Sequence, residues 1–348
     1  MNGLSLFTGA GISETYLGDT PIKIKVANEL VPNRAKLYSH FYPDSKMICG
    51  DITDMTIQEQ IVRESKTRHV EFIMATPPCQ SMSRAGKMKI DDERTLLFLP
   101  LLNIIEQLDP KYVLIENVPE FLKSNYEKNG RKVDVMAVIR ERCRNYHIEE
   151  KILDTSDFDT PQKRKRAIVL LSRHDCTKWI HPDPLGYKIT VEQAIGHLPS
   201  LESGEKSHIA HHHAKIHNAR HILWMKHTPT GQCALSNETH FPTKDGRKIK
   251  AFGTAYKRIR WDTPSPTITM MNGSISSQNN VHPGRYKSDT KTWSDARVLT
   301  ILEIMLLTGL PADWNIPEWA SDTLIRHVIG EGIPPKLIYH IVGCLNIQ

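Results

Sequence analysis

Short apolar runs alternate with amphipathic stretches over the first half of the chain. GLSLF at 3–7, IKIKVA at 22–27, VEFIMA at 70–75 and YVLIEN at 112–117 have the length and side-chain types of buried strands. HIEEKIL at 147–153 and RAIVLL at 166–171 predict two more, and RTLLFLPLLNIIEQL at 94–108 and VDVMAVIRERCRNY at 133–146 predict helices. Strands alternating with helices predict an α/β fold with a doubly wound, mostly parallel sheet, whose ligands bind at the carboxyl ends of the strands. After about residue 180 the alternation stops at the turn-rich HPDPLG, and the next hundred residues are polar and rich in His, Lys and Gly. Helical periodicity returns in VLTILEIMLLTGLP at 298–311 and in a final helix, PPKLIYHIVGCL at 334–345. The pattern predicts a first domain over 1–180, a smaller irregular domain over 181–320 and a terminal segment, 321–348.

Composition adds charge asymmetry. The 348 residues carry a formal net charge of +6, yet residues 181–300 alone hold 16 Lys/Arg against 9 Asp/Glu, a net of +7. A polyanion partner and a merely solubilising basic surface both account for that segment. The six cysteines form no C-x-x-C pair, which argues against a zinc ribbon or dithiol site and points to a reducing compartment. The start, MNGLSLFTGAG, has no basic or long apolar leader region, and no stretch approaches the roughly 20 apolar residues of a membrane span. A cytoplasmic protein, without membrane contact, is expected.

Four stretches offer chemistry. LFTGAGIS at 6–13 follows the first strand, and Gly9 and Gly11 allow a tight turn with close backbone approach to a ligand, although a structural turn reads the same way. Glu29, 20 residues beyond Gly9, ends the second strand region where an acid can accept from ribose hydroxyls. Asp51 follows the third candidate strand; a cap or solvated turn is the plain alternative for either acid. In TPPCQSMS at 76–83, Cys79 sits on a loop stiffened by Pro77 and Pro78, a place for a thiolate nucleophile as well as for a small apolar residue. IENVPEF at 115–121 puts Glu116 at another strand end, and PQKRKR at 161–166 places Gln162, Arg164 and Arg166 at alternate positions, on one face if that segment is extended.

In this order, LFTGAG, Glu29, Asp51, PPCQSMS, ENVPEF, PQKRKR, RIRWDTPSPTIT (258–269), VHPGR (281–285) and VIGEGIPP (328–335) resemble the DNA (cytosine-5)-methyltransferase family, bacterial restriction–modification type, over nearly the whole chain. The resemblance implies a catalytic domain of the S-adenosylmethionine-dependent methyltransferase type, a target-recognition domain, and DNA in the cleft between them. It implies transfer of a methyl group from S-adenosylmethionine to C5 of a flipped-out cytosine in double-stranded DNA, with Cys79 adding to C6 and Glu116 bonding N3. Arg164 would hold the nucleotide and Arg166 orient the acid, with the two roles interchangeable. Phe7, Gly9, Gly11, Glu29, Asp51, Ile52, Pro78, Leu97 and Glu331 would hold the cofactor. Gln80, Ser83, Asn117, Gln162, Arg258, Arg260 and Thr267 would meet the substrate. The family needs no metal, and a monomer, with a cognate restriction endonuclease acting on the same site without stable binding, is expected. The chain departs from the pattern at Ile12, Thr95 and Asp159, where glycine is usual, and at Glu331, where asparagine is usual.

Nine of the 17 histidines fall between 197 and 240. His213, His217 and His221 repeat every four residues, which would align them on one helix face, either as a polar DNA-facing or solvated surface or as a metal chelate. Alternatives for the whole chain are a tRNA cytosine methyltransferase, a catalytically dead relative, and a nucleotide-dependent oxidoreductase. The last leaves PPCQ, ENV and Q-x-R-x-R unexplained, and retention of Cys79, Glu116, Arg164 and Arg166 argues against a dead relative.

Overall fold

The computed structural model describes residues 1–78, 96–128 and 131–345. Five of its strands are parallel: β1 (Asn2–Leu6), β2 (Lys23–Glu29), β3 (Lys46–Cys49), β4 (Val70–Ala75) and β5 (Tyr112–Asn117). A hairpin, β6 (Asn125–Lys128) with β7 (Arg131–Asp134), precedes β8 (Tyr146–Asp154) and β9 (Lys165–Arg173). The main sheet has the order β3-β2-β1-β4-β5-β9-β8, with β9 antiparallel to both neighbours. The fold is therefore α/β with a mostly parallel sheet. The order reverses direction between β1 and β4, the switch point at which such sheets open a crevice at their carboxyl edge.

Helices α1 (Pro32–Phe41), α2 (Met55–Thr67), α3 (Phe98–Leu108) and α4 (Val135–Arg142) join these strands. Ile61 of α2, Leu101 and Ile105 of α3 and Ile139 of α4 pack with Leu4, Val26, Ile73, Val113 and Val169 of the sheet in one buried cluster. Phe72 points the other way, as strand alternation requires, and its ring lies 6.0 Å from that of Trp179. The Trp179 indole in turn donates to the carbonyl of Ile341, 2.9 Å away, in the last helix, α9 (Pro335–Gly343). The helix expected over 133–146 begins later than its apolar pattern. Residues 131–134 pair in the hairpin, and the Asp134 carboxylate accepts from the Ala137 N–H to cap α4.

The chain divides into two compact units. The first comprises Met1–Asp154, Lys165–Pro184 and the chain from Leu337; the second comprises Thr155–Arg164 and Leu185–Lys336. Against the sequence reading, the second unit thus takes the segment between β8 and β9 and extends to Lys336. Its regular elements are few: α5 (Val191–Ile195), α6 (Ala219–Lys226), α7 (Ile301–Thr308), α8 (Asp322–Glu331) and two-residue hairpins. A capping box of Thr300 and Glu303 starts α7, and Gly309 in the left-handed region ends it.

Charge organises this unit's interior. Arg297, fully buried, donates to Asp295 Oδ1 at 2.9 Å and to both oxygens of Glu303 at 2.8 and 2.9 Å. Burial alone would raise the Glu303 carboxyl, but the Arg297 charge holds it well below the usual carboxylate range. Arg258, also fully buried, donates to the carbonyls of Met225, His282, Ser294 and Asp295. Beside it, a Cβ on Gly284 would lie 2.4 Å from Nη1 of Arg258, which explains the glycine of HPGR.

Among the described residues, the histidine run is not one helix, because α6 begins only at Ala219, capped by Asn218, so His213 and His217 lie ahead of it. His212 is buried between Thr300 Oγ1 and the Pro199 carbonyl, and His217 accepts from the Val298 N–H. No group of three or more His, Cys, Asp or Glu among the described residues could hold a metal. Removal of one partner from the buried ion cluster leaves charge uncompensated. Arg297→Leu is expected to destabilise the protein by about 3–5 kcal/mol in urea unfolding; a change below about 1 kcal/mol would show that the cluster holds nothing together.

Candidate active site

Register brings the candidate residues to one edge. Leu6 pairs with Asn28 and Ala75, and Ala75 with Ile115. One position further along each strand stand Phe7, Glu29, Thr76 and Glu116. The chain leaves β1 through Phe7 (φ 58°), Gly9 (φ 57°) and Gly11 (φ 76°), left-handed positions that turn it sharply. Gly11 has a second constraint: a Cβ there would sit 2.3 Å from the ring of Tyr42. The Glu29 carboxylate is fixed by two backbone donors, Gly9 N–H on Oε2 and Val31 N–H on Oε1, each at 2.8 Å, with Arg34 at 3.9 Å. Each of its oxygens has a further lone pair for a ligand hydroxyl. Asp51 is exposed and accepts from the N–H and hydroxyl of Thr53, while Ile52 behind it is buried. Leu97, half-buried, caps α3. A carboxylate held in a fixed orientation beside a left-handed glycine turn suits a ribose and its attached chain, so the residues present fit a nucleoside cofactor at the ends of β1, β2 and β3.

Glu116, buried, is ion-paired through Oε1 to Arg166 Nε at 2.7 Å. Asn117, one position on, donates to the Pro77 carbonyl at 3.1 Å, and its own Oδ1 accepts from the Val118 N–H. The amide expected to meet substrate is thus engaged in tying the end of β5 to the two-proline turn; Pro78 is half-buried. Cys79, Gln80 and Ser83 lie outside the described residues.

The remaining candidates belong to the second unit. Gln162, Arg164 and Arg166 do not share one strand face, because β9 begins at Lys165. Arg164 instead donates to the carbonyls of Ile268, Gly330 and Glu331 at 3.0, 3.1 and 2.9 Å. Gln162, buried, donates to Thr308 Oγ1 and accepts from the Ile268 N–H. Thr267 donates to the Lys163 carbonyl. These side chains, like that of buried Arg258, are bonded within the second unit, mostly to backbone. Arg260 is exposed and paired with Asp262. Glu331 ends α8, half-buried, at a place where its neighbour Gly330 passes so close to Thr269 that a Cβ would lie 2.3 Å from its carbonyl oxygen.

The C-5 cytosine-specific DNA methylase family model matches residues 1–346. The chain belongs to that family. It is 47% identical over 346 residues to the Type II methyltransferase M1.HgaI of Avibacterium volantium, covering 97% of this chain and 96% of that one. It is 27% identical to the Type II methyltransferase M1.HphI of Haemophilus parahaemolyticus, covering 96% and 83%. A solved structure of a Spodoptera frugiperda DNMT2 mutant shares the fold, with a TM-score of 0.67 at 17% identity over 99% of this chain and 98% of that one. This cytosine-5 methylase is thus an enzyme acting on DNA, with S-adenosylmethionine as the methyl donor that its family implies. No helix among the described residues is long and apolar enough to cross a membrane.

The sequence reading passed over Glu14, three residues past Gly11 and buried. Its Oε2 accepts from the Tyr38 hydroxyl at 2.6 Å, while Oε1 is buried without a hydrogen bond of standard geometry, the Ser5 hydroxyl lying nearby. Burial pushes this carboxyl from 4.5 up to about 7, more than the two hydroxyls lower it. A folded value above the unfolded one means the contribution to stability is complete below about 4.5 and is lost as pH rises through about 7. Urea unfolding between pH 5 and 8 should therefore show the wild type losing up to about 3 kcal/mol relative to Glu14→Gln. Parallel pH profiles would remove the buried carboxyl as the cause.

Proposed function

We propose that this methylase is a site-specific modification enzyme of the Type II restriction–modification kind, acting on one cytosine of a short duplex site through a covalent Cys79–C6 adduct. The observation that carries the reading is the Glu116–Arg166 ion pair at the end of β5, with Asn117 beside it holding the turn that leads into Cys79. The Cys79 thiolate adds to C6, and the ring's electron density moves to C5. Glu116, in its acid form, donates to N3 as that density develops, and Arg166 orients it. S-adenosylmethionine supplies an electrophilic methyl group when bound. Glu29 accepts from its ribose hydroxyls, Asp51 and Ile52 meet its adenine, and Phe7, Gly9, Gly11, Pro78, Leu97 and Glu331 complete its surroundings. Once C5 carries the methyl group, a water takes the C5 proton and the C6–S bond breaks, returning the thiolate.

A cytosine inside the stack exposes neither face of C6, so the base is flipped out for attack. The net charge of +7 over 181–300 supports phosphate binding by the second unit, with exposed Arg260 and half-buried Thr267 among its candidate substrate contacts. Gln80 and Ser83 follow the nucleophile and are assigned to the flipped nucleotide. The two Type II relatives support a role in protecting host DNA, and the proposal adds a cognate endonuclease acting on the same site and a monomeric methylase.

Bisulfite sequencing of plasmid from a methylation-free host should show a short motif protected by the wild type and unprotected with Cys79→Ala. Titration should show Cys79→Ala binding S-adenosylmethionine within about twofold of wild type and Glu29→Ala binding it at least about tenfold more weakly, the scale of a lost charge-assisted bond. Protection by Cys79→Ala would overturn the covalent mechanism. Unprotected DNA with folded wild-type protein would overturn the DNA-modification reading and direct the search to RNA.

A further inference from the structure

Helix α1 follows Glu29 directly and sends two tyrosines back under the glycine turn. Tyr38, fully buried, donates its hydroxyl to Glu14 at 2.6 Å and lies 3.4 Å from the Ser45 hydroxyl. Tyr42, one helical turn on, donates to the carbonyl of Gly11 at 2.6 Å. Their rings pack together, centroids 4.8 Å apart. The Glu14 N–H closes the arrangement by donating to the same Gly11 carbonyl at 3.0 Å. Gly11 O thus accepts both a backbone N–H and a phenol, and the absent Cβ of Gly11 is the space the Tyr42 ring fills.

We propose that Tyr38 and Tyr42, with Glu14, form a clamp that positions the glycine turn for S-adenosylmethionine, making both tyrosines positioning residues for the cofactor. Glu29 holds the turn from one side at the Gly9 N–H, and its own orientation depends on Val31, the residue that opens α1. The two tyrosines hold the turn from the other side, at Gly11 and Glu14. One helix therefore sets both ends of the turn and the acid assigned to the ribose. Loosening the Gly11 end leaves every ligand-facing group present but lets the turn leave the conformation that meets the ligand. The loss should therefore fall on cofactor affinity and spare the chemical step.

The proposal rests on the cofactor reading of this edge, and the experiment separates the two. Tyr42→Phe and Tyr38→Phe each delete one hydroxyl and keep the ring, with Glu29→Ala as the reference for the site. Calorimetric titration with S-adenosylhomocysteine and steady-state methylation kinetics are measured on all three. The expected result is a Kd and a cofactor KM raised about five- to tenfold in each Phe variant, the scale of one buried hydrogen bond, with kcat at saturating cofactor within about twofold. A lowered Tm with unchanged Kd and KM in both Phe variants, while Glu29→Ala weakens binding, would overturn the clamp and leave the site standing. Unchanged Kd in Glu29→Ala would overturn the site reading itself. Should Tyr42→Phe not fold, Tyr38→Phe alone decides by the same split between KM and kcat.

Discussion

Parallel pairing of β2, β1, β4 and β5 is the constraint on which the site depends. Parallel strands put their carboxyl ends on one side, and matched register brings the residues just past those ends to one level. That is how Phe7, Glu29, Thr76 and Glu116, separated by up to 109 positions in the chain, come to stand along one edge. The edge is kept from fraying by side chains and loop backbone. Thr76 donates through its N–H to Leu6 O and through its hydroxyl to Phe7 O. Asn28 donates to the carbonyls of Ile48 and Gly50, and Asn117 to that of Pro77. Each of these bonds satisfies a backbone carbonyl at or just past a strand end.

A general consequence concerns motif residues that carry polar groups. Four of the side chains expected to meet substrate, Asn117, Gln162, Arg164 and Arg258, are buried and bonded to backbone. A guanidinium presents five donors in a fixed fork, so a single arginine can hold several carbonyls that irregular chain leaves without ladder partners. Arg164 does this for three residues from two distant segments, and Arg258 for four residues. Such residues fix the chain segments whose carbonyls they hold.

The main sheet was legible because its central strands are buried and read as short, mainly apolar runs. VEFIMA and YVLIEN coincide with β4 and β5 residue for residue. The pairing of Glu116 with an arginine was legible as a choice between two, and position decides it. Arg166 lies inside β9, opposite the strand that carries Glu116, whereas Arg164 precedes the first strand residue and turns into the second unit. Sequence alternation could not show where extended pairing begins. The histidine run misled for a related reason: a four-residue repeat is necessary for a helix face but does not create the cap, which here is Asn218. Glu14, Tyr38 and Tyr42 left no motif at all, since nothing local marks an acid as buried against tyrosines contributed by another segment.

The second unit poses a different physical problem. With few regular elements and a small apolar cluster around Trp224, Met225, Tyr256 and Val298, it has many backbone groups that no helix or sheet satisfies. Its solution is a set of buried charges. Arg297 pairs with both Asp295 and Glu303, Arg258 gathers carbonyls, and burial with the nearby Arg297 pushes the His282 imidazole down to about 4. Buried ions of this kind add little net stability over apolar packing, but they penalise alternative arrangements heavily, since any slip strands a charge. An irregular domain that must hold loops in one geometry has more use for that penalty than for extra stability. It follows that the positive charge of this segment serves two ends. Buried Arg258 and Arg297 specify the scaffold, and only the exposed cations, Arg260 and those between Lys244 and Lys250 among them, remain to meet a polyanion.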